Sequence, residues 1–206
     1  MTKTVLFDVM GTLVHDPFFV EVPRFFGTDL RTLVARKHPT AWESFELGHI
    51  DEEGLAQQFF ADGRRLDVEG LKRAMVDAYQ FLPGIEALLG DLQARGIAMH
   101  TLSNYPRWYQ LIEAKLGVAR YVPWTFVSCE IGARKPDRAA YDHATARLGV
   151  TPDQCVFVDD RRINCDAAHE AGMDAVHFTD AAALREALAA RGLVGAGLAA
   201  RAKTPV

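Results

Sequence analysis

Five short runs of β-branched and aromatic residues recur along the chain: Thr4 to Phe7, Ile97 to Leu102, Thr125 to Cys129, Cys155 to Val158 and Ala175 to Phe178. None alternates cleanly between polar and apolar residues. A strand with one wet face alternates; near-continuous apolar strands belong to a parallel sheet covered on both faces. Helical patterns fill the gaps at Gly84 to Arg95, Tyr105 to Leu116, Asp137 to Leu148, Asn164 to Ala171 and Ala181 to Arg191. Leu82-Pro83-Gly84 opens the first of these, and Pro152 follows a Gly149-Val150 break after the third. The expected fold is therefore α/β, a Rossmann-like, doubly wound parallel sheet.

The stretch from His15 to Phe81 departs from this rhythm. It has apolar residues at helical spacing and no strand-like run, so it reads as a helical cap inserted after the first strand. Residues 15–81 form that expected cap, and residues 1–14 and 82–206 the expected core domain. Seven of the twelve Phe residues lie in the insert when Phe81 is left to the core, including Phe18-Phe19, Phe25-Phe26 and Phe59-Phe60. They are expected to build the small core of the cap, with a partly apolar substrate pocket as the alternative. The ending GLVGAGLAARAKTPV is expected to fray or to form a weak last helix.

A net charge of −4 provides no basic field for nucleic acid. The start MTKTVLFDVMG lacks a signal-peptide pattern, and no run approaches 18 apolar residues. A cytoplasmic protein without a membrane partner is the expectation. Cys129, Cys155 and Cys165 have neither metal-type nor redox-type spacing and are expected to be buried, reduced thiols.

In open α/β sheets ligands bind beyond the carboxyl ends of the strands, so the residues following each strand carry the chemistry. Asp8 and the loop Val9-Met10-Gly11-Thr12-Leu13 follow the first, Ser103-Asn104 the second, Lys135-Pro136 the third, and Asp159-Asp160 end the fourth. Each has an ordinary explanation alone: a loop exit, a helix N-cap before Tyr105, a helix start. Together they gather three carboxylates, which one lysine cannot neutralise and a hard divalent cation can. Carboxylates, water and a phosphate are the ligands Mg²⁺ prefers. Lys135 and Ser103 would hold non-bridging oxygens, with main-chain N–H groups around Gly11 completing an anion nest.

These residues resemble the haloacid dehalogenase superfamily. VLFDVMGTL is similar to its first signature, HTLSN to its second, ARKPD to its third and VFVDDRRINCDAAHEAGM to its fourth, in the right order between Val5 and about Phe178. The insert lies where the family carries its first class of cap, and FELGHIDEEGLAQQF is similar to cap segments of its small-molecule phosphatases. The resemblance implies that Asp8 attacks phosphorus to form an aspartyl-phosphate. It implies catalytic and phosphate-binding roles for Ser103 and Lys135, with Gly11, Thr12 and Asn104 beside them. Mg²⁺ would be held by Asp8, the Met10 carbonyl, Asp159 and Asp160, and Asn164 would support the loop or cap its helix. The substrate would be a small phosphorylated molecule.

One position departs from the pattern. Phosphatases of the family carry a second Asp two residues after the nucleophile, as acid and base; here that residue is Met10, whose thioether donates no proton. A 2-haloacid dehalogenase is one alternative, opposed by Asp159-Asp160. A phosphonate hydrolase with a Schiff-base lysine is another, for which the insert offers Lys37 and Lys72. A metal- and phosphate-binding pseudo-enzyme is the third, opposed by the retained Asp8. His15, with Asp16 beside it, is the candidate to replace the missing acid.

Overall fold

In the computed structural model, which describes residues 3–195, five strands form one parallel sheet: β1 (Thr4–Phe7), β2 (Met99–Ser103), β3 (Phe126–Val127), β4 (Cys155–Asp159) and β5 (Asp174–His177). Their order is β3-β2-β1-β4-β5, so β1 is central and the chain reverses direction across the sheet beside it. Successive residues of β1 and β4 serve two different cores. Val5, Phe7, Val156 and Val158 join one buried cluster, while Leu6, Cys155 and Phe157 join the other. That is why these strands read as continuously apolar.

Helices α1 (Glu21–Phe25), α2 (Leu30–Arg36), α3 (Ala41–Glu46), α4 (Glu52–Gln58) and α5 (Val68–Ala78) all lie between β1 and β2. After them come α6 (Ile85–Ala94), α7 (Tyr109–Leu116), α8 (Ser128–Ile131), α9 (Arg138–Leu148), α10 (Arg162–Glu170) and α11 (Ala181–Ala189). Asp29, Asp51 and Asp67 cap α2, α4 and α5 by accepting from the amides of Thr32, Gly54 and Gly70. Phe26 stacks on Phe59 at 5.7 Å between ring centroids and meets Phe25 and Phe60 edge-on. These rings form an aromatic centre for the helical insert. The two chain segments joining the insert to the sheet run side by side: Val14 bridges Phe81, His15 N–H donates to Gln80, and Leu82 N–H donates to Leu13.

Several local expectations change. β2 starts at Met99 because the Ile97 amide turns back to Leu92 after α6. β3 is only Phe126–Val127, since Ser128–Ile131 coils into α8. Asn104 caps no helix, as α7 begins at Tyr109, and Asn164 lies within α10 rather than at its cap. Cys155 and Cys165 are buried, whereas Cys129 is only half-buried. The expected fraying of the C-terminal tail concerns residues mostly outside those described. Among the described residues no helix is long and apolar enough to cross a membrane.

Candidate active site

Sheet register brings the first three acids together. Phe7 pairs with Thr101 on one side and Val158 on the other, so Asp8 and Asp159 emerge level with each other. The Asp8 amide donates to Val158, continuing the ladder one residue beyond β1. Oxygen atoms of Asp8, Asp159 and Asp160 lie within 4.8 Å of one another.

Lys135 enters this cluster from the loop between α8 and α9. It is 1% exposed, and its Nζ lies 2.7 Å from Asp8 Oδ1 and 2.6 Å from Asp159 Oδ2. Its main chain is clamped by Asn104: Oδ1 accepts from Lys135 N–H at 2.8 Å and Nδ2 donates to Lys135 O at 2.7 Å. Asn104, expected among the phosphate-binding residues, thus has both amide ends committed to positioning the lysine. Asn164 Nδ2 donates to both oxygens of Asp159 at 3.0 Å, and the Arg161 amide donates to Oδ1 at 2.8 Å. Asp159 is therefore fully engaged by protein groups.

Charge remains in excess. Burial pushes the Asp8 carboxyl up to about 7; Lys135 opposes the rise, while Asp159 and Asp160 add to it. Burial, then the Asp159 charge, also raises Asp160. Burial works against the Lys135 ammonium, yet Asp159 and Asp8 hold its pKa above the ordinary lysine value. One ammonium bonded to two of three clustered carboxylates leaves a site whose donors suit a hard cation. Asp160 is its freest carboxylate, because its side chain makes no hydrogen bond among the described residues, and the Met10 carbonyl likewise accepts none. Gly11, at φ +80°, makes this approach possible: a Cβ there would lie 2.6 Å from Asp160 Oδ2.

The main-chain amides around Gly11, expected to form an anion nest, are already engaged within the loop. The amides of Gly11, Thr12 and Leu13 are consumed by Val14 O and Val9 O, whereas those of Val9 and Met10 donate to nothing among the described residues. Thr12 is fully buried and its Oγ1 accepts from the Asp160 amide at 3.1 Å, so it positions the acid rather than facing a ligand. Ser103 Oγ, at the end of β2, is buried without a hydrogen-bond partner among the described residues, an arrangement a ligand oxygen would satisfy.

Above the acids opens a cavity of about 580 Å³, lined at its base by Asp8, Met10, Lys135, Asp159 and Asp160. Its apolar wall comes from the insert: Phe18, Phe19, Trp42, Phe59, Leu71 and Met75. The expected cap core and the apolar pocket are thus the same set of helices seen from two sides. Lys37 stands on the wall, while Lys72 lies outside it, paired with Glu52 and Glu69. His15 is absent from the wall and is held by Glu21 at 3.0 Å; Asp16 takes the place in the cavity instead. Sequence reading also missed a bridge over the cavity. Arg134 reaches Glu46 at 3.0 Å and Glu43 at 3.4 Å, and Trp42 Nε1 donates to Glu46 at 2.8 Å. Burial raises the Glu46 carboxyl despite the Arg134 charge. The only available signal was that Arg134 adjoins Lys135.

A sequence model described as haloacid dehalogenase-like hydrolase matches residues 2–172. Flavin mononucleotide hydrolase 1 of Arabidopsis thaliana is 47% identical over 189 residues, covering 92% of this chain and 77% of that protein. A sesquiterpene phosphatase of Aspergillus oryzae is 27% identical over 205 residues, covering 94% and 97% of the two chains. A phosphoglycolate phosphatase of Pseudomonas savastanoi is 28% identical over 193 residues, covering 85% and 69%. A HAD family enzyme of Bacteroides thetaiotaomicron, solved with magnesium and inorganic phosphate, superimposes with a TM-score of 0.67 at 20% identity, over 87% of this chain and 95% of that one.

Proposed function

The chain belongs to the haloacid dehalogenase-like hydrolases, and from that premise we propose that it is a Mg²⁺-dependent phosphatase acting on a small phosphate monoester through an aspartyl-phosphate at Asp8. The observation carrying this reading is the cluster of Asp8, Asp159 and Asp160 around the buried Lys135 at the base of the cavity.

In this mechanism the ester's phosphoryl group sits over Asp8. Its non-bridging oxygens take the unpaired Ser103 hydroxyl, the free amides of Val9 and Met10, and the Lys135 ammonium. Asp8, Asp160 and the Met10 carbonyl would hold Mg²⁺, with Asp159 behind them fixed by Asn164. When bound, the ion neutralises charge on the acids and the phosphoryl oxygens. Lys135 aims Asp8 Oδ1 and restrains its free rotation, and the opposite oxygen attacks phosphorus in line with the leaving oxygen. Water then opens the acyl phosphate and releases orthophosphate.

Residues 15–81 act as a cap that excludes bulk water and large phosphorylated surfaces. The aromatic wall suits an ester whose remaining part is planar or apolar, and a cavity of this size lies within the range of about 300–1,000 Å³ usual for small ligands. Flavin mononucleotide, the compound for which the 47% identical relative is named, is the first substrate to test. Purified protein should release orthophosphate from flavin mononucleotide faster than from phosphoglycolate, only with Mg²⁺, and not after Asp8→Asn. Metal-independent halide release from a 2-haloacid, or turnover that survives Asp8→Asn, would overturn the proposal.

A further inference from the structure

Met10 leaves the leaving-group oxygen without the proton donor that an alkyl ester requires, because an alkoxide is a poor leaving group. A replacement must be a titratable group that reaches the cavity on the same side as residue 10. His15 does not qualify, since its ring is turned to Glu21. Tyr79 and Tyr105 bond to each other, O to O at 2.8 Å, and burial raises both phenols, so neither offers a proton readily.

Asp16 is the acid of this loop that lines the cavity. It lines the cavity with Asp8, Met10 and Asp160, at the point where the loop after β1 enters the insert. Its direction is set by its own backbone role: Oδ1 accepts from the Phe18 amide at 2.9 Å as the N-cap of the short turn Pro17–Phe19. Oδ2 makes no hydrogen bond among the described residues, so it is the oxygen available to carry a proton. Pro17, buried and with φ restricted by its ring, stiffens the next position.

On the phosphatase reading above, we infer that Asp16 is the general acid and base of this enzyme, transferred from position 10 to the entrance of the insert. The protonated Oδ2 gives its proton to the ester oxygen as that P–O bond breaks and the Asp8–phosphorus bond forms. The resulting Asp16 carboxylate takes a proton from water as the water oxygen bonds to phosphorus and the Asp8–phosphorus bond breaks. Orthophosphate leaves, and Asp16 is protonated again. Burial raises its carboxyl above the ordinary range, with the Phe18 amide, His15 and Arg161 opposing and Glu21 adding to the rise. Such an acid stays partly protonated nearer neutrality.

The test compares Asp16→Asn with the parent on p-nitrophenyl phosphate, whose leaving group needs no proton, and on flavin mononucleotide, a primary alkyl ester. Asn keeps an oxygen for the Phe18 amide, so the turn is retained. For the alkyl ester kcat/KM should fall by about 10²- to 10⁴-fold, while kcat/KM for the aryl ester should hold within about threefold, given the normal context scatter of such contributions. With the base gone, the variant should show a burst of nitrophenolate equal to the enzyme and accumulate acid-stable, labelled phosphoenzyme. Met10→Asp added to Asp16→Asn should restore alkyl-ester turnover. Equal losses on both substrates would reduce Asp16 to a turn residue, and an unchanged alkyl ester rate would dismiss it. A parent active only on the aryl ester would also overturn the inference, leaving the phosphatase reading intact; a parent inactive on both would overturn that reading too.

Discussion

Asp8→Asn should make the metal-free protein more stable, and the gain should grow with pH. Asn is the uncharged counterpart of a residue that the fold holds charged at a cost. The rise of the Asp8 pKa from 3.8 to about 7, at ~1.4 kcal/mol for each tenfold change in proton affinity, corresponds to about 4 kcal/mol. The sign follows from proton binding. Between those two values the folded parent holds a proton that the unfolded chain has released, so the parent loses stability as pH rises through this window. The variant has no such group. Its advantage should be about 1 kcal/mol at pH 4.5 and about 4 kcal/mol at pH 8. Urea denaturation of both proteins in EDTA at the two pH values measures it. Mg²⁺ at a hundredfold excess over its Kd should return about 2.7 kcal/mol to the parent and little to the variant, narrowing the gap. Equal midpoints at pH 8, or a gain independent of pH, would refute the claim that Asp8 is held against its own charge.

Ser103→Ala should unfold at the parent's urea concentration or slightly above it, since a partnerless buried hydroxyl contributes about 0–1 kcal/mol at most; its inhibition constant for inorganic phosphate should nevertheless rise about tenfold, as a lost hydrogen bond to a charged group implies. Gly11→Ala places a Cβ against Asp160 Oδ2 in a left-handed backbone, and should raise the Mg²⁺ concentration for half-maximal activity by about 10- to 100-fold, the range for a disturbed ligand shell. Met10→Asp in the parent should increase kcat/KM for alkyl phosphates by about tenfold or more, with little change for aryl phosphates. A lower alkyl rate would mean that the thioether is needed as a packing surface for the substrate.

Much of the sheet and of the site was legible in the chain because both depend on local pattern. Strands buried on two faces must be apolar throughout, and the C-terminal ends of such strands must converge on one edge. Asp8, Ser103, Lys135, Asp159 and Asp160 could therefore be selected before their geometry was known, although more than 120 residues separate the first from the third. Strand lengths failed where a neighbour intervened, as when Ser128 turned into α8 and bonded Glu46 O and the Tyr105 amide across the cavity rim.

What the sequence determined by itself was which chemical groups are present and on which edge they lie. Tertiary structure alone decided where each group points. Asn104 is committed to Lys135, Thr12 to Asp160 and Asn164 to Asp159, which leaves Asp160 as the freer acid. His15 turns outward to Glu21 and Asp16 inward to the cavity. Adjacent side chains on one loop diverge because their directions are set by backbone torsions and by partners on other elements. The bonds of Asn104 and Thr12, formed across 31 and 148 residues, carry no trace in local spacing.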